Sequence, residues 1–160
     1  MPEKVLGEKQ IVVLEMGGKG YGVPAERVRE IVRLVEISPV PESPAFLAGV
    51  IDYRGELAIV VDLASRFGME AAERTLSSHI IVMEAGDHLV GLLVDKVSDV
   101  LNAPSSQVMK PNGDIPVPEE LVTGAYEDGD SLVLLLNIDK VLDFNNKEII
   151  KKIRKSAVKK

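Results

Sequence analysis

Apolar positions along this chain come in short, dense runs, not in the spaced pattern of long helices. IVVLEM (11–16), YGV (21–23), ELAIVVDL (56–63), HIIVME (79–84), HLVGLLVD (88–95) and SLVLLLNI (131–138) are rich in Val, Ile and Leu, and Gly, Asp, Pro or Asn turns separate them. Runs of this length between turn residues predict six or more short strands. Two junctions have the length and residues of hairpin connections: Gly17 to Gly20 between IVVLEM and YGV, and Ala85 to Asp87 between HIIVME and HLVGLLVD. Helical signals are fewer. PAERVREIV (24–32), SPAFLAGV (43–50), ASRFGMEA (64–71) and the C-terminal segment carry them, with Ser43 placed to cap the second and Pro44 at its first helical position. These helices are expected to connect strands, not to form the core.

The apolar pattern also repeats. YGVPAERVREIV (21–32) matches VGLLVDKVSDVL (90–101), pairing Gly22 with Gly91, Val28 with Val97, Glu30 with Asp99 and Ile31 with Val100. Further on, Gly49, Leu57 and Asp62 are spaced 8 then 5 apart, and Gly124, Leu132 and Asn137 repeat that spacing, with Leu63 opposite Ile138. The offset is 69 residues for the first pair and 75 for the second, so the later copy carries about six extra residues, assigned to KPNGDIPVPEE (110–120). Ordered matches at fixed spacing predict a structural duplication. The fold class expected is mainly β: two strongly bent sheets of about five strands, each closing into a small barrel, because a flat sheet that size buries too little surface. The two barrels would share a core, with a groove between them lined by 21–32 and 90–101.

Composition narrows the function. With 160 residues, 46% of them hydrophobic, the chain suffices for one ordinary domain or two very small ones sharing a core. The absence of cysteine excludes disulfides and thiolate metal sites and suits a reducing compartment. No apolar run has the length to cross a bilayer, and MPEKVLGEKQ lacks the apolar core of a secretion signal, so a cytoplasmic protein without membrane insertion is expected. A net charge of −6 argues against a nucleic-acid partner, and three Tyr, three Phe and no Trp leave little for base stacking. The one basic cluster, KKIRKSAVKK, ends a segment with Ile149, Ile150 and Ile153 on one helical face, which reads as a short packed helix with a solvated basic end. The expected organisation is an N-terminal tail over 1–10, a two-barrel domain over 11–145, and a C-terminal helix and basic tail over 146–160.

The segments YGVPAERVREIV, VPESPAFLAGVIDYRGELAIVVDL, VGLLVDKVSDVL and VTGAYEDGDSLVLLLNIDKVL, in this order from about Ile11 to Leu142, resemble the CheW family of chemotaxis coupling proteins. The combination PxFxxGVxxxRG with VGxxVDxVxDV carries most of that likeness. The resemblance implies two SH3-like five-stranded barrels, no catalysis and no cofactor. It also implies an adaptor role joining the cytoplasmic tips of chemoreceptors to the regulatory domain of the histidine kinase CheA. DYRG stands where the family usually has NLRG, and NIDK where an Asp-Leu pair is common.

Arg54 lies between a turn and the most hydrophobic segment of the chain. The equivalent loop of the second copy holds Glu127 and Asp128, so the fold itself does not demand a cation there. Arg54 reads either as a solvated loop residue or, as the resemblance implies, as a residue used in coupling. Gly49 and Gly55 read first as backbone devices at a bent strand entry, and the resemblance adds Gly49 to the partner-binding set. Glu30 is the expected partner of Arg54. Val28 and Ile31, placed on one face of a helical or turn-like segment, read either as core or, as the resemblance implies, as partly exposed for a partner helix, with Val97 the counterpart of Val28 in the second copy. Other classes find less support. His79 and His88 have no nucleophile and orienting group at a spacing that suggests hydrolysis. Asp62, Asp95 and Asp139 fall in different units, at strand ends, so no metal site is expected. MGGKGYG lacks the following helix of a phosphate loop. The alternative retained is a small β-barrel binding module for nucleic acid or another protein.

Overall fold

The computed structural model describes residues 8–111 and 114–143; the helix expected over 146–160 lies outside the described residues. Ten strands follow in chain order: β1 (Glu8–Met16), β2 (Lys19–Pro24), β3 (Val28–Arg33), β4 (Leu47–Tyr53), β5 (Glu56–Asp62), β6 (His79–Ala85), β7 (His88–Val94), β8 (Lys96–Pro104), β9 (Val122–Asp128) and β10 (Ser131–Leu136). Two four-residue helices, α1 (Leu63–Arg66) and α2 (Ile138–Val141), follow β5 and β10.

The strands form two five-stranded sheets, sheet A in the order β8-β1-β2-β10-β9 and sheet B in the order β3-β6-β7-β5-β4. Exchanging β1–β5 with β6–β10 converts one order into the other, which is the expected duplication in strand form. The register agrees too. Val60 lies opposite Gly91 in the parallel pair of sheet B, and Leu135 lies opposite Gly22 in that of sheet A. Even the isolated bridges correspond, Ser38 with Val50 and Met109 with Ala125. The separation grows from 12 residues (50 − 38) to 16 (125 − 109), so four of the six extra residues fall in the Pro-rich stretch. The copies are interleaved: sheet B uses β3 to β7 consecutively, whereas sheet A takes β1 and β2 from the first copy and β8 to β10 from the second.

The dense apolar runs are explained by burial on both faces. Along β6, Ile80 and Val82 point into the interior of the sheet B barrel, while Ile81 and Met83 join the core shared with sheet A. Along β7, Leu89 and Leu93 go inward and Val90, Leu92 and Val94 go to the shared core. The shared core draws on both sheets, with Leu14, Tyr21 and Leu134 from sheet A, and α1 and α2 close its ends through Leu63, Ala64, Ile138 and Val141. The repeated spacing that ends at Asp62 and Asn137 marks two helix caps: the Asp62 carboxylate accepts from Ser65 N at 3.2 Å and the Asn137 side chain from Lys140 N at 3.2 Å.

Two of the helix expectations are corrected and a third is shortened. PAERVREIV gives only a 3₁₀ turn at Ala25–Arg27 before it enters β3, because its β-branched residues pair with β6. SPAFLAGV is turn followed by β4, and the Ser43 hydroxyl donates to Val40 O at 2.7 Å instead of capping a helix. ASRFGMEA is helical only as far as Arg66, and Gly68 at φ +88° provides the left-handed exit.

A candidate partner-binding site

β4 and β5 are joined by a two-residue turn, Arg54-Gly55, between the paired residues Tyr53 and Glu56. Both turn residues have positive φ, 51° for Arg54 and 85° for Gly55, the pattern of the hairpin turn whose twist matches the strands. Asx and Gly fit that first position; an arginine there is strained. The Asp52 carboxylate steadies the turn by accepting from Gly55 N at 2.9 Å.

The strained position delivers the guanidinium to one carboxylate. Glu30 Oε1 accepts from Arg54 Nε at 3.1 Å and Nη2 at 2.8 Å, and from the Tyr53 hydroxyl at 2.5 Å. Tyr53 is buried, the Arg54 guanidinium carbon lies 5.5 Å from its ring centroid, and that of Arg29 lies 6.0 Å away. Arg29 in turn meets Glu84 at 3.4 Å. Because β3 and β4 are the two edges of sheet B, the Tyr53–Glu30 bond ties edge to edge and closes the barrel beside the turn. The Tyr53 hydroxyl first, and Arg54 second, hold the Glu30 carboxyl below its ordinary value; Glu30 raises the Arg54 guanidinium in return. The side chains of Arg54 and Glu30 are 70% and 36% exposed, so the pair fixes position more than it adds stability.

A β-bulge arranges the apolar residues. Val28 lies opposite Met83 and Glu30 opposite Val82, so Arg29 is the extra residue. The bulge turns Val28 and Ile31 to the same face, against the shared core, and Glu30 to the other. The second copy has the same device, Val97 opposite Leu14 and Asp99 opposite Val13. Val28, Ile31 and Val97 are thus all half-buried at the rim of one core cluster. Each is part-exposed at the edge of that cluster, so the three form an apolar rim beside the shared core.

Glu30 and Arg54 are therefore brought together as their charges suggested. Gly49 stands apart: it is buried at φ +148°, and a Cβ on it would lie 2.2 Å from Ser38 O, so it shapes the strand entry and presents no side chain. Tyr53 escaped the sequence reading. Its signal was only its place, an aromatic residue directly before the turn arginine at the end of a strand. In sheet A the equivalents of Glu30, Tyr53 and Arg54 are Asp99, Asp128 and Gly129, two acids and a glycine at φ +63°, so that constellation belongs to sheet B alone. Among the described residues, His79 meets Ser77 O at 2.7 Å, and no three His, Asp or Glu side chains converge.

Paired SH3-like barrels, with an anchored arginine at a hairpin tip and a half-buried apolar rim, define a protein of the adaptor or scaffold class. The family model of the CheW-like domain matches residues 10–145. The chain belongs to the CheW family, the coupling adaptors of chemotaxis. It is 33% identical to the chemotaxis protein CheW of Rhizobium meliloti (strain 1021) over 89% of this chain and 92% of that one. It is 27% identical to the CheW of Klebsiella aerogenes over 96% and 95% of the two chains. Its fold is similar to the crystal structure of the scaffolding protein TtCheW from Thermoanaerobacter tengcongensis, with a TM-score of 0.78 and 29% identity, covering 86% of this chain and 89% of that one. No helix among the described residues is long and apolar enough to cross a membrane.

Proposed function

We propose that the protein joins the cytoplasmic tips of chemoreceptors to the regulatory domain of the histidine kinase CheA, in the cytoplasm at the receptor array, and does so without catalysis. The observation that carries this reading is Arg54. A non-glycine residue in a left-handed turn costs about 1–3 kcal/mol, and such strain gathers at functional positions. The second copy has Gly129, at φ +63°, in the equivalent first turn position, so the left-handed conformation there does not call for an arginine. What the arginine gains is a fixed guanidinium, held by Glu30 and flanked by Tyr53, that a partner meets in one orientation. The half-buried rim of Val28, Ile31 and Val97 suits the apolar face of an amphipathic receptor helix.

The test is a binding cycle with the parent protein, Arg54→Ala, Glu30→Ala and the double variant, assayed with kinase and receptor fragments together. Arg54→Ala should leave the Tm nearly unchanged and reduce assembly of the ternary complex. Glu30→Ala should reduce it alike, and the double variant should be no worse than either single one, since all three remove one shared feature. Undiminished assembly with Arg54→Ala would remove the arginine from the site, and strictly additive losses would show that the two residues act independently.

A further inference from the structure

The two barrels correspond strand by strand, yet they are not equally full. In sheet B, Leu34, Ile37, Ile80 and Leu93 belong to one packed cluster that fills the barrel interior. Register assigns their counterparts in sheet A as Ala103, Val108, Ile11 and Pro24, so three of the four positions carry smaller side chains. A cavity of about 320 Å³ opens at that end, lined by these four residues and Leu135, with Lys9 at its mouth. Ile11 and Ala103 are buried, whereas Lys9, Ser105 and Thr123 are exposed, so the floor is apolar and the rim polar. The opening is not a requirement of the fold. Where sheet A has Lys9, sheet B has Ser78, which is buried and accepts a hydrogen bond from Thr75 N at 2.9 Å, closing that end with a turn.

We propose that this cavity binds a small amphipathic anion, a monocarboxylate with a hydrocarbon body of about eight carbons, matched to a site near the lower end of the ~300–1,000 Å³ range of small-molecule pockets. The floor offers no charged partner, so a charged head is left at the mouth and only the hydrocarbon enters. Lys9 is the one charged residue among those lining the cavity, and it makes no ion pair among the described residues, which selects an anion over a cation. The rim hydroxyl of Ser105 supplies a further donor beside it, whereas that of Thr123 is already donated to Leu135 O at 3.3 Å.

Octanoate titrated into the methyl-labelled full chain, followed by NMR, tests the proposal, with octanol and acetate as comparators. Octanoate should shift the methyls of Ile11, Val108 and Leu135 saturably, and acetate should not. Ala103→Leu, which restores the residue of the filled barrel, should weaken octanoate about tenfold or more, the loss of about 1.4 kcal/mol. Thr123→Trp at the exposed rim should block entry in the same way without touching the core, which covers the case of a poorly folding Ala103→Leu. Lys9→Gln should reduce octanoate to the affinity of octanol. Shifts confined to other methyls, octanol binding as well as octanoate to the parent, or octanoate binding undiminished by both cavity variants would each overturn the proposal.

Discussion

Gly49 and Gly124 hold equivalent places in the two barrels, and alanine at each should have different costs for reasons visible at atomic distance. A Cβ at Gly49 would lie 2.2 Å from Ser38 O and 2.8 Å from Ile37 Cγ2, at a φ of +148° that side chains rarely adopt. The obstacle is backbone already engaged on both sides: Ser38 N donates to Val50 O at 2.9 Å, and Val50 N donates to Ser38 O at 2.8 Å. Admitting a methyl opens that bridge. Backbone strain of about 1–3 kcal/mol and two lost bonds at about 0.5–1.5 kcal/mol each give an expected destabilisation of about 2–6 kcal/mol. That is a large share of the ~5–15 kcal/mol typical of a domain. At Gly124 the nearest atom would be Val108 Cγ1 at 2.7 Å, a side chain that borders the sheet A cavity and has room to move. Gly124→Ala should therefore cost only the ~1–3 kcal/mol of ordinary overpacking, towards the lower end. Urea unfolding measures both, with equal m-values required for the comparison, and hydrogen exchange at the Val50 amide reports the bridge directly. Equal midpoint shifts for the two variants, or unchanged protection of Val50 in Gly49→Ala, would refute the reasoning.

Two further outcomes are expected. Tyr21 is fully buried against Phe67, at 5.1 Å between ring centroids, and its hydroxyl has no hydrogen-bond partner among the described residues, so Tyr21→Phe should stabilise the fold by about 1 kcal/mol. A lower urea midpoint would show that the hydroxyl is bonded after all. The Glu30 carboxyl is lowered in the folded state, so its contribution is present above the unfolded value and lost as pH falls through the lowered one. Carboxyl-carbon NMR titration should show Tyr53→Phe and Arg54→Ala each relieving part of the depression, since the tyrosine hydrogen bond is the largest single cause and the arginine adds both a hydrogen bond and its charge; no change in either variant would refute that assignment.

The strands read directly from the sequence, β1, β2, β5, β6, β7 and β10, are the six that lie inside the two sheets, and the four that escaped, β3, β4, β8 and β9, are the four edges. Inner strands here have apolar neighbours on both faces and become unbroken apolar runs, whereas edges such as VREIVR carry charges that keep them from pairing further. The bulge explains why β3 looked helical. One extra residue at Arg29 leaves Val28 and Ile31 three apart on one face, the spacing a helix would give. For the site, opposite charge was enough to pair Glu30 with Arg54 across 24 positions of sequence. The contribution of Tyr53 depends on two edge strands meeting as the barrel closes, which no local pattern records.

The interleaving of the copies sets an order of events during synthesis. Sheet B is complete once β7 has left the ribosome, because β3 to β7 are contiguous. The β1–β2 hairpin is made earlier but waits, since its neighbours β8 and β10 come last, and Val13 meets Asp99 only after most of the chain exists. Until then Leu14 and Tyr21 have no sheet A to be buried in, and the hairpin carries two unpaired edges. The first strands translated are thus among the last to be secured, and a chain halted after β7 holds one finished barrel with an adhesive hairpin at its head.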